Sequence, residues 1–203
     1  MITHLSFWDR AAEKYAVRPV GDPDAYDATL ERVRHWLRPD MAALELGCGT
    51  GSTALRLCDA VREMTATDIS EEMIRIAKAK QADGGSVNFV RAEAGQALAP
   101  GMDVVLAFNL LHLVGDGPGL LRQVRRALPK GGLFISKTAC LAGKPWLRLP
   151  IAVMQMLGKA PSPIRYLSVR QLEAEIVAAG FEIVETGDYP KKLPNHFVVA
   201  RAV

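Results

Sequence analysis

The sequence has no apolar run near the roughly 20 residues needed to span a bilayer. Its most apolar stretch, Leu147 to Gly158, is interrupted by Arg148, Pro150 and Gln155. No transmembrane segment is expected. A secretory leader is also missing from the reading, because Asp9, Arg10, Glu13 and Lys14 stand where it would need an unbroken apolar core, so a cytoplasmic location is expected. Cysteine is scarce. Cys48, Cys58 and Cys140 are odd in number and lack the paired spacing of a disulfide framework or zinc site, so they read as reduced, mostly structural residues and no metal is expected. There is no excess of glycine, proline or charge: 49% of the 203 residues are hydrophobic and 23% charged, which suits one globular domain with a real core. Internal repeats and low-complexity tracts are absent.

One sign of charge is missing locally. From Gly117 to Leu172 there are ten basic residues and no acid, which leaves 15 basic against 22 acidic residues, or −7, elsewhere. Such a polarised field suits an anionic partner, whether an acidic small molecule, a phosphate or a membrane surface. Arg122, Arg125 and Arg126 read as a solvated helix face.

The hydrophobic period changes along the chain. Helical spacing over Thr3 to Val17 (Leu5, Trp8, Ala12, Tyr15) and Asp24 to Leu37 is broken by Pro19, Gly21 and Pro23. Five short apolar runs then read as buried strands: Ala42 to Leu46, Glu63 to Thr67, Val87 to Arg91, Met102 to Ala107 and Leu133 to Lys137. Helical patterns at Ser52 to Ala60, Glu71 to Gln81 (with Ser70 as N-cap) and Leu120 to Leu128 separate them. The alternation implies an α/β fold with a mostly parallel sheet and helices on both faces. A last helix, Ser168 to Ala179, closes on Gly180. Two successive strands, Phe181 to Thr186 and His196 to Ala202, then imply a hairpin whose loop holds Pro190, Lys191, Lys192 and Pro194.

The chemistry-bearing motif is Leu44-Glu45-Leu46-Gly47-Cys48-Gly49-Thr50-Gly51, a glycine-rich turn between the first strand and a helix, where a ligand can approach bare backbone. A dinucleotide fingerprint would need glycine where Ser52 stands, and the lysine of a nucleotide P-loop is missing, so the turn does not read as a phosphate cradle. Asp68 ends the second strand 21 positions after Gly47, placed to accept hydrogen bonds from both ribose hydroxyls of a nucleoside.

At these residues the chain resembles the class I S-adenosylmethionine-dependent methyltransferases, in the small-molecule branch similar to the ubiquinone and menaquinone biosynthesis enzymes. The resemblance runs from about Phe7 to Val203. It implies a Rossmann-like seven-stranded sheet with an antiparallel last strand, and residues 1–203 as a single methyltransferase domain in which 1–40 form a helical cap. It also implies S-adenosylmethionine as cofactor and S-adenosylhomocysteine as product. By resemblance, Gly47, Cys48, Gly49 and Gly51 pack against the methionyl part and Glu45 orients the turn. Asp68 takes the ribose, and Ile69 and Met73 surround the adenosine. Ala92-Glu93-Ala94 stands where the family has Gly-Asp-Ala, so Glu93 would replace the usual aspartate at the adenine amino group, beside Ala94. Phe108-Asn109-Leu110-Leu111-His112 matches the segment beside the methyl group. Leu128-Pro129-Lys130-Gly131-Gly132 matches the family's Leu-Lys-Pro-Gly-Gly with two residues exchanged.

Other candidates are weighed residue by residue. Tyr15 lies where relatives place a tyrosine over the cofactor, or else it packs the first helix on the sheet. Trp8 reads as core. His112 is a candidate catalytic base or an imidazole held by a structural hydrogen bond. Lys137, at the carboxyl edge of the sheet, would pair with an anionic substrate group or snorkel to solvent. Ala139 to Leu167 is too long for an ordinary connection. With Trp146, Met154 and Tyr166 as substrate contacts, residues 139–167 read first as a lid over an apolar acceptor, second as an extra packed helix, and third as a membrane-surface segment. The expected function is methyl transfer by in-line displacement to a small, partly apolar acceptor that can be anionic. The competing readings are a non-catalytic cofactor-binding regulatory or partner subunit, a lipid-headgroup methyltransferase at the membrane surface, and a nicotinamide-dependent reductase. Nucleic acid is not an expected partner, since the family's Asp/Asn-Pro-Pro-aromatic signature is missing after the fourth strand. Oligomeric state is left open.

Overall fold

The computed structural model describes residues 4–81, 86–189 and 195–203, with side chains from residue 7 onward. Pro190, Lys191, Lys192 and Pro194 of the hairpin loop therefore lie outside the described residues. The strands are β1 (Ala42–Leu46), β2 (Glu63–Asp68), β3 (Val87–Arg91), β4 (Val104–Phe108), β5 (Leu133–Ala139), β6 (Phe181–Asp188) and β7 (Asn195–Ala202). They form a seven-stranded sheet in the order β3-β2-β1-β4-β5-β7-β6. β1 to β5 pair in parallel, and β7 runs antiparallel to both β5 and β6. The α/β class, the parallel sheet and the terminal hairpin are as the alternation of periods implies.

Both faces are covered because the buried strands send successive side chains to opposite sides. On one face Ala43, Met64, Ala66, Val104, Leu106 and Ile135 meet α2 (Pro23–Trp36), α3 (Ser52–Leu57) and α4 (Glu71–Gln81). On the other face Leu44, Leu46, Val105, Phe134 and Val198 meet α5 (Gly117–Ala127) and α7 (Val169–Ala178). Each fully buried leucine or phenylalanine here contributes about 1.5–3 kcal/mol. α1 (His4–Ala16) packs by Ala12 against Met73 and Ile76 of α4. It is pinned by Asp9, whose carboxylate accepts a 2.6 Å hydrogen bond from the Ser70 hydroxyl. That hydroxyl in turn accepts from the Met73 amide and so caps α4.

Some boundaries move for local reasons. α5 begins at Gly117 rather than Leu120, because Asp116 caps it by accepting from the Gly119 amide and Pro118 suits the first turn. β4 begins at Val104 rather than Met102. There Asp103 turns its carboxylate to the Ala42 amide at 2.8 Å, tying the edges of β1 and β4. The 139–167 segment holds a 3-10 turn at Pro145–Leu147 and a helix, α6 (Arg148–Met156), none of whose residues is buried.

Sheet order reverses between β1 and β4, whose outgoing connections lead to opposite sides. This is the switch point at which open α/β sheets form a crevice beyond their carboxyl ends.

Candidate active site

A cavity of about 440 Å³ occupies that crevice, walled by the segments that follow β1, β2, β3 and β4 and roofed by α1. Its floor is the turn after β1. Gly47, Gly49 and Gly51 have φ of +66°, +54° and +77°, values that L side chains adopt only at a cost. The three do different work. A Cβ on Gly49 would meet only Tyr15, at 3.7 Å, so its backbone faces open cavity. One on Gly51 would strike Phe89 at 2.7 Å and Ala77 at 2.8 Å, so this glycine allows α3 to pack beside α4 and β3. One on Gly47 would press on Leu110, another cavity wall, at 2.8 Å.

Asp68 organises the turn. One carboxylate oxygen accepts from the Gly49 amide and the other from the Ser70 amide, each at 2.9 Å. Around it the cavity gathers Tyr15, Gly47, Gly49, Ile69, Met73, Glu93, Ala94, Phe108 and Asn109 of the residues expected there. Asn109 sits at φ 54°, a left-handed conformation uncommon outside glycine, held by its amide on the Lys137 carbonyl at 2.7 Å. Desolvation, reinforced by the Asp68 charge, pushes the Tyr15 hydroxyl above its ordinary pKa, so it stays a neutral donor.

Glu45, Cys48 and Gly51 do not line the cavity. Cys48 is buried in the core with its amide on the Thr67 carbonyl, and burial pushes its thiol well up. Glu45 lies beneath the turn. Burial raises its carboxyl to about 8, and Oε2 has no hydrogen-bond partner among the described residues.

The four expected substrate contacts are not brought to this cavity. Lys137 is turned under α2, its ammonium donating to the Thr29 hydroxyl at 3.0 Å, and desolvation lowers its pKa, so it is a buried strut rather than an anion receptor. Trp146 and Met154 stand in solvent, and the Tyr166 ring lies under the Arg148 guanidinium at 5.0 Å. Only Pro163 of the 139–167 segment reaches the cavity wall. His112 is also outside the lining. Burial drops its imidazole to about 4 and Nδ1 has no partner among the described residues, so it is neutral at physiological pH but a weak base, poorly suited to the catalytic role expected.

Several wall residues escaped sequence reasoning: Trp8, Leu113, Val114, Asp116, Leu120 and Gln123. Trp8 packs on the α1–α4 contact and also faces the cavity. Leu120 and Gln123 are three apart on α5, hence on one face. The Gln123 amide reaches in because residue 95 is glycine, whose Cβ would stand 2.6 Å from its oxygen. The available signal was that glycine, directly after Ala92-Glu93-Ala94. Among the described residues the lining carries three carboxylates, Asp68, Glu93 and Asp116, and no lysine, arginine or histidine.

The model of a family described as "Methyltransferase domain" matches residues 44–134, from the glycine turn to the start of β5. Residues 44–134 are thus similar to a methyltransferase domain. Among curated relatives, a demethylmenaquinone methyltransferase of Leptospira interrogans is 34% identical over 113 residues, covering 52% of this chain and 45% of the relative. A highly reducing polyketide synthase, pspA, of Penicillium soppii is 26% identical over 199 residues, covering 87% of this chain and 8% of the synthase. The chain thus spans less than half the length of either. Among solved structures, the CcbJ methyltransferase of Streptomyces caelestis shares the fold, with a TM-score of 0.76 at 24% identity over 98% of this chain and 99% of that one.

Proposed function

We propose that this protein transfers a methyl group from S-adenosylmethionine to a small, partly apolar acceptor. The observation that carries the reading is the charge of the cavity wall: among its described residues, three carboxylates and no cationic side chain suit a sulfonium nucleoside and oppose the phosphates of a dinucleotide. The residues present fit that cofactor. Asp68 turns its carboxylate to the cavity, where it can accept from ribose hydroxyls, while its amide contacts hold it still. Glu93 and Gln123 offer acceptors, and the Gln123 amide a donor as well, a complementary set for the edge of adenine. Gly49 leaves its backbone open to the methionyl end.

When bound, S-adenosylmethionine supplies an electrophilic methyl on a positively charged sulfur. The protein's part is to orient and to exclude water, since in-line displacement needs a positioned nucleophile in a dry site more than it needs a base. Trp8, Phe108, Leu110, Leu113 and Val114 make the walls apolar. With His112 held near 4 and away from the lining, this reading assigns it no role as general base. The likeness to a demethylmenaquinone methyltransferase supports an apolar ring as acceptor. An anionic group on it would find no cationic partner in the cavity.

Calorimetry with S-adenosylhomocysteine tests the reading. Micromolar binding is expected, weakened about 100-fold or more by Asp68→Ala, which removes two hydrogen bonds to a charged acceptor, and about tenfold by Gln123→Leu. Absence of binding at millimolar ligand, or tighter binding of a reduced nicotinamide dinucleotide, overturns it. Release of S-adenosylhomocysteine across a panel of quinols, phenols and thiols then identifies the acceptor.

A further inference from the structure

Helix α6 presents its apolar side to solvent. Trp146, Leu149, Val153, Met156 and Leu157 follow at spacings of three, four, three and one, forming one stripe along the 3-10 turn and the helix, with relative exposures of 64, 75, 47, 87 and 63%. The other side is only half-buried, at Ile151, Gln155 and Gly158, and is fastened by the Gln155 amide donating to the Pro161 carbonyl at 2.7 Å. Five large apolar residues in one stripe exceed what scattered surface hydrophobics explain. The stripe is not used by the cavity, which takes only Pro163 from this segment.

The charges around the stripe are of one sign. Lys144, Arg148 and Lys159 flank it, Arg170 is exposed nearby in sequence, and no acid occurs between Gly117 and Leu172. An exposed tryptophan–leucine–methionine stripe with a basic margin has the composition of an interfacial helix. We propose that α6 docks this protein on an anionic lipid bilayer, with the stripe entering the headgroup–acyl boundary and Lys144, Arg148 and Lys159 meeting the phosphates. A second copy of the chain is the poorer occupant. Two stripes facing each other would bring their basic margins together with no carboxylate in the segment to pair them. The inference stands on α6 alone and is independent of methyl transfer.

Sedimentation of the purified protein with vesicles tests it, using phosphatidylcholine alone and phosphatidylcholine with about a third phosphatidylglycerol, at low and high salt. Binding is expected to the anionic vesicles only, with partial release by salt and a blue shift of tryptophan emission that Trp146→Ser abolishes. Leu149→Ser with Met156→Ser should lower partitioning at least tenfold. Lys144→Glu and Lys159→Glu should each lower it at least fivefold, from about 1 kcal/mol per basic residue at such a surface. Melting temperature should be unchanged in all of them, since every side chain replaced is solvent-facing or half-buried. Failure to sediment with either vesicle, equal binding to both, or insensitivity to the stripe substitutions overturns the proposal. So does a dimer at sedimentation equilibrium that the same substitutions dissolve while vesicle binding is absent.

Discussion

Gly49 and Gly51 are indistinguishable in the sequence and opposite in the structure, which makes a sharp comparison. Gly49→Ala adds a methyl to open cavity at a left-handed position, so it should cost only about 1–2 kcal/mol of stability while sharply weakening S-adenosylhomocysteine. Gly51→Ala drives a methyl into Phe89 and Ala77 and should cost about 2–4 kcal/mol. Melting and calorimetry on the pair check this, and equal effects on both observables would sink the assignment. Glu45 supplies a pH test. Its carboxyl moves from 4.5 to about 8 on folding, chiefly by desolvation, against which the Ala54 amide works the other way while the Asp68 charge adds to the rise. Between those values the folded protein holds more protons than the unfolded chain, so stability falls as pH rises from 4.5 to about 8 and then levels. Glu45→Gln keeps the size and cannot ionise. The wild-type melting temperature should therefore drop relative to the variant between about pH 5 and about pH 9, and parallel curves would rule the shift out.

At the scale of elements, α1 is the roof of the site and is lightly held. Its ties are Ala12 against Met73 and Ile76, the exposed Glu13–Arg75 ion pair, and Asp9 on Ser70 and, more weakly at 3.4 Å, on the Glu72 amide. Trp8 and Tyr15 ride on the same helix and face the cavity. Asp9→Ala should raise amide exchange across α1 and lower S-adenosylhomocysteine affinity about tenfold, while costing the whole fold only about 1 kcal/mol. Unchanged exchange would show that the apolar contact and the Glu13–Arg75 pair hold the roof without Asp9. The sequence made α1 visible by its helical period, and Ser70 by its place before two glutamates. The Asp9–Ser70 contact joins residues 61 apart, which no local pattern can announce.

Across the whole molecule, one buried side chain joins both strands of the carboxyl-terminal hairpin to α7, beside the β5–β7 ladder that pairs the hairpin with the sheet. His196 on β7 is buried, with Nδ1 2.9 Å from Asp188 of β6 and Nε2 2.9 Å from Glu173 of α7. His196→Ala removes both contacts at once and strands two carboxylates near each other, an expected loss of about 1–3 kcal/mol in urea unfolding. Ligand affinity should hold, since none of the three lines the cavity. A loss below about 0.5 kcal/mol would mean the pairs are solvated surface contacts.

The sequence by itself determined the α/β class, the strand inventory, the terminal hairpin, the glycine turn and Asp68, because each is written in local period, turn chemistry or spacing along a few residues. It also placed many of the residues that line the cavity, since in a parallel sheet whatever directly follows a strand lands at the carboxyl edge. What it left open depends on which segment packs over which. Lys137 looked like an anion receptor at the end of β5, but α2 closes over it and offers Thr29, so it is buried instead. Gln123 gave no sign of a binding role until α5 was laid against Gly95. The apolar segment after β5 looked like a lid, and only its orientation in the folded chain showed the stripe turned away from the cavity. Periodicity tells a helix which of its faces differ, while the partner for each face is chosen by contacts between residues tens of positions apart, and these exist only once the chain has packed.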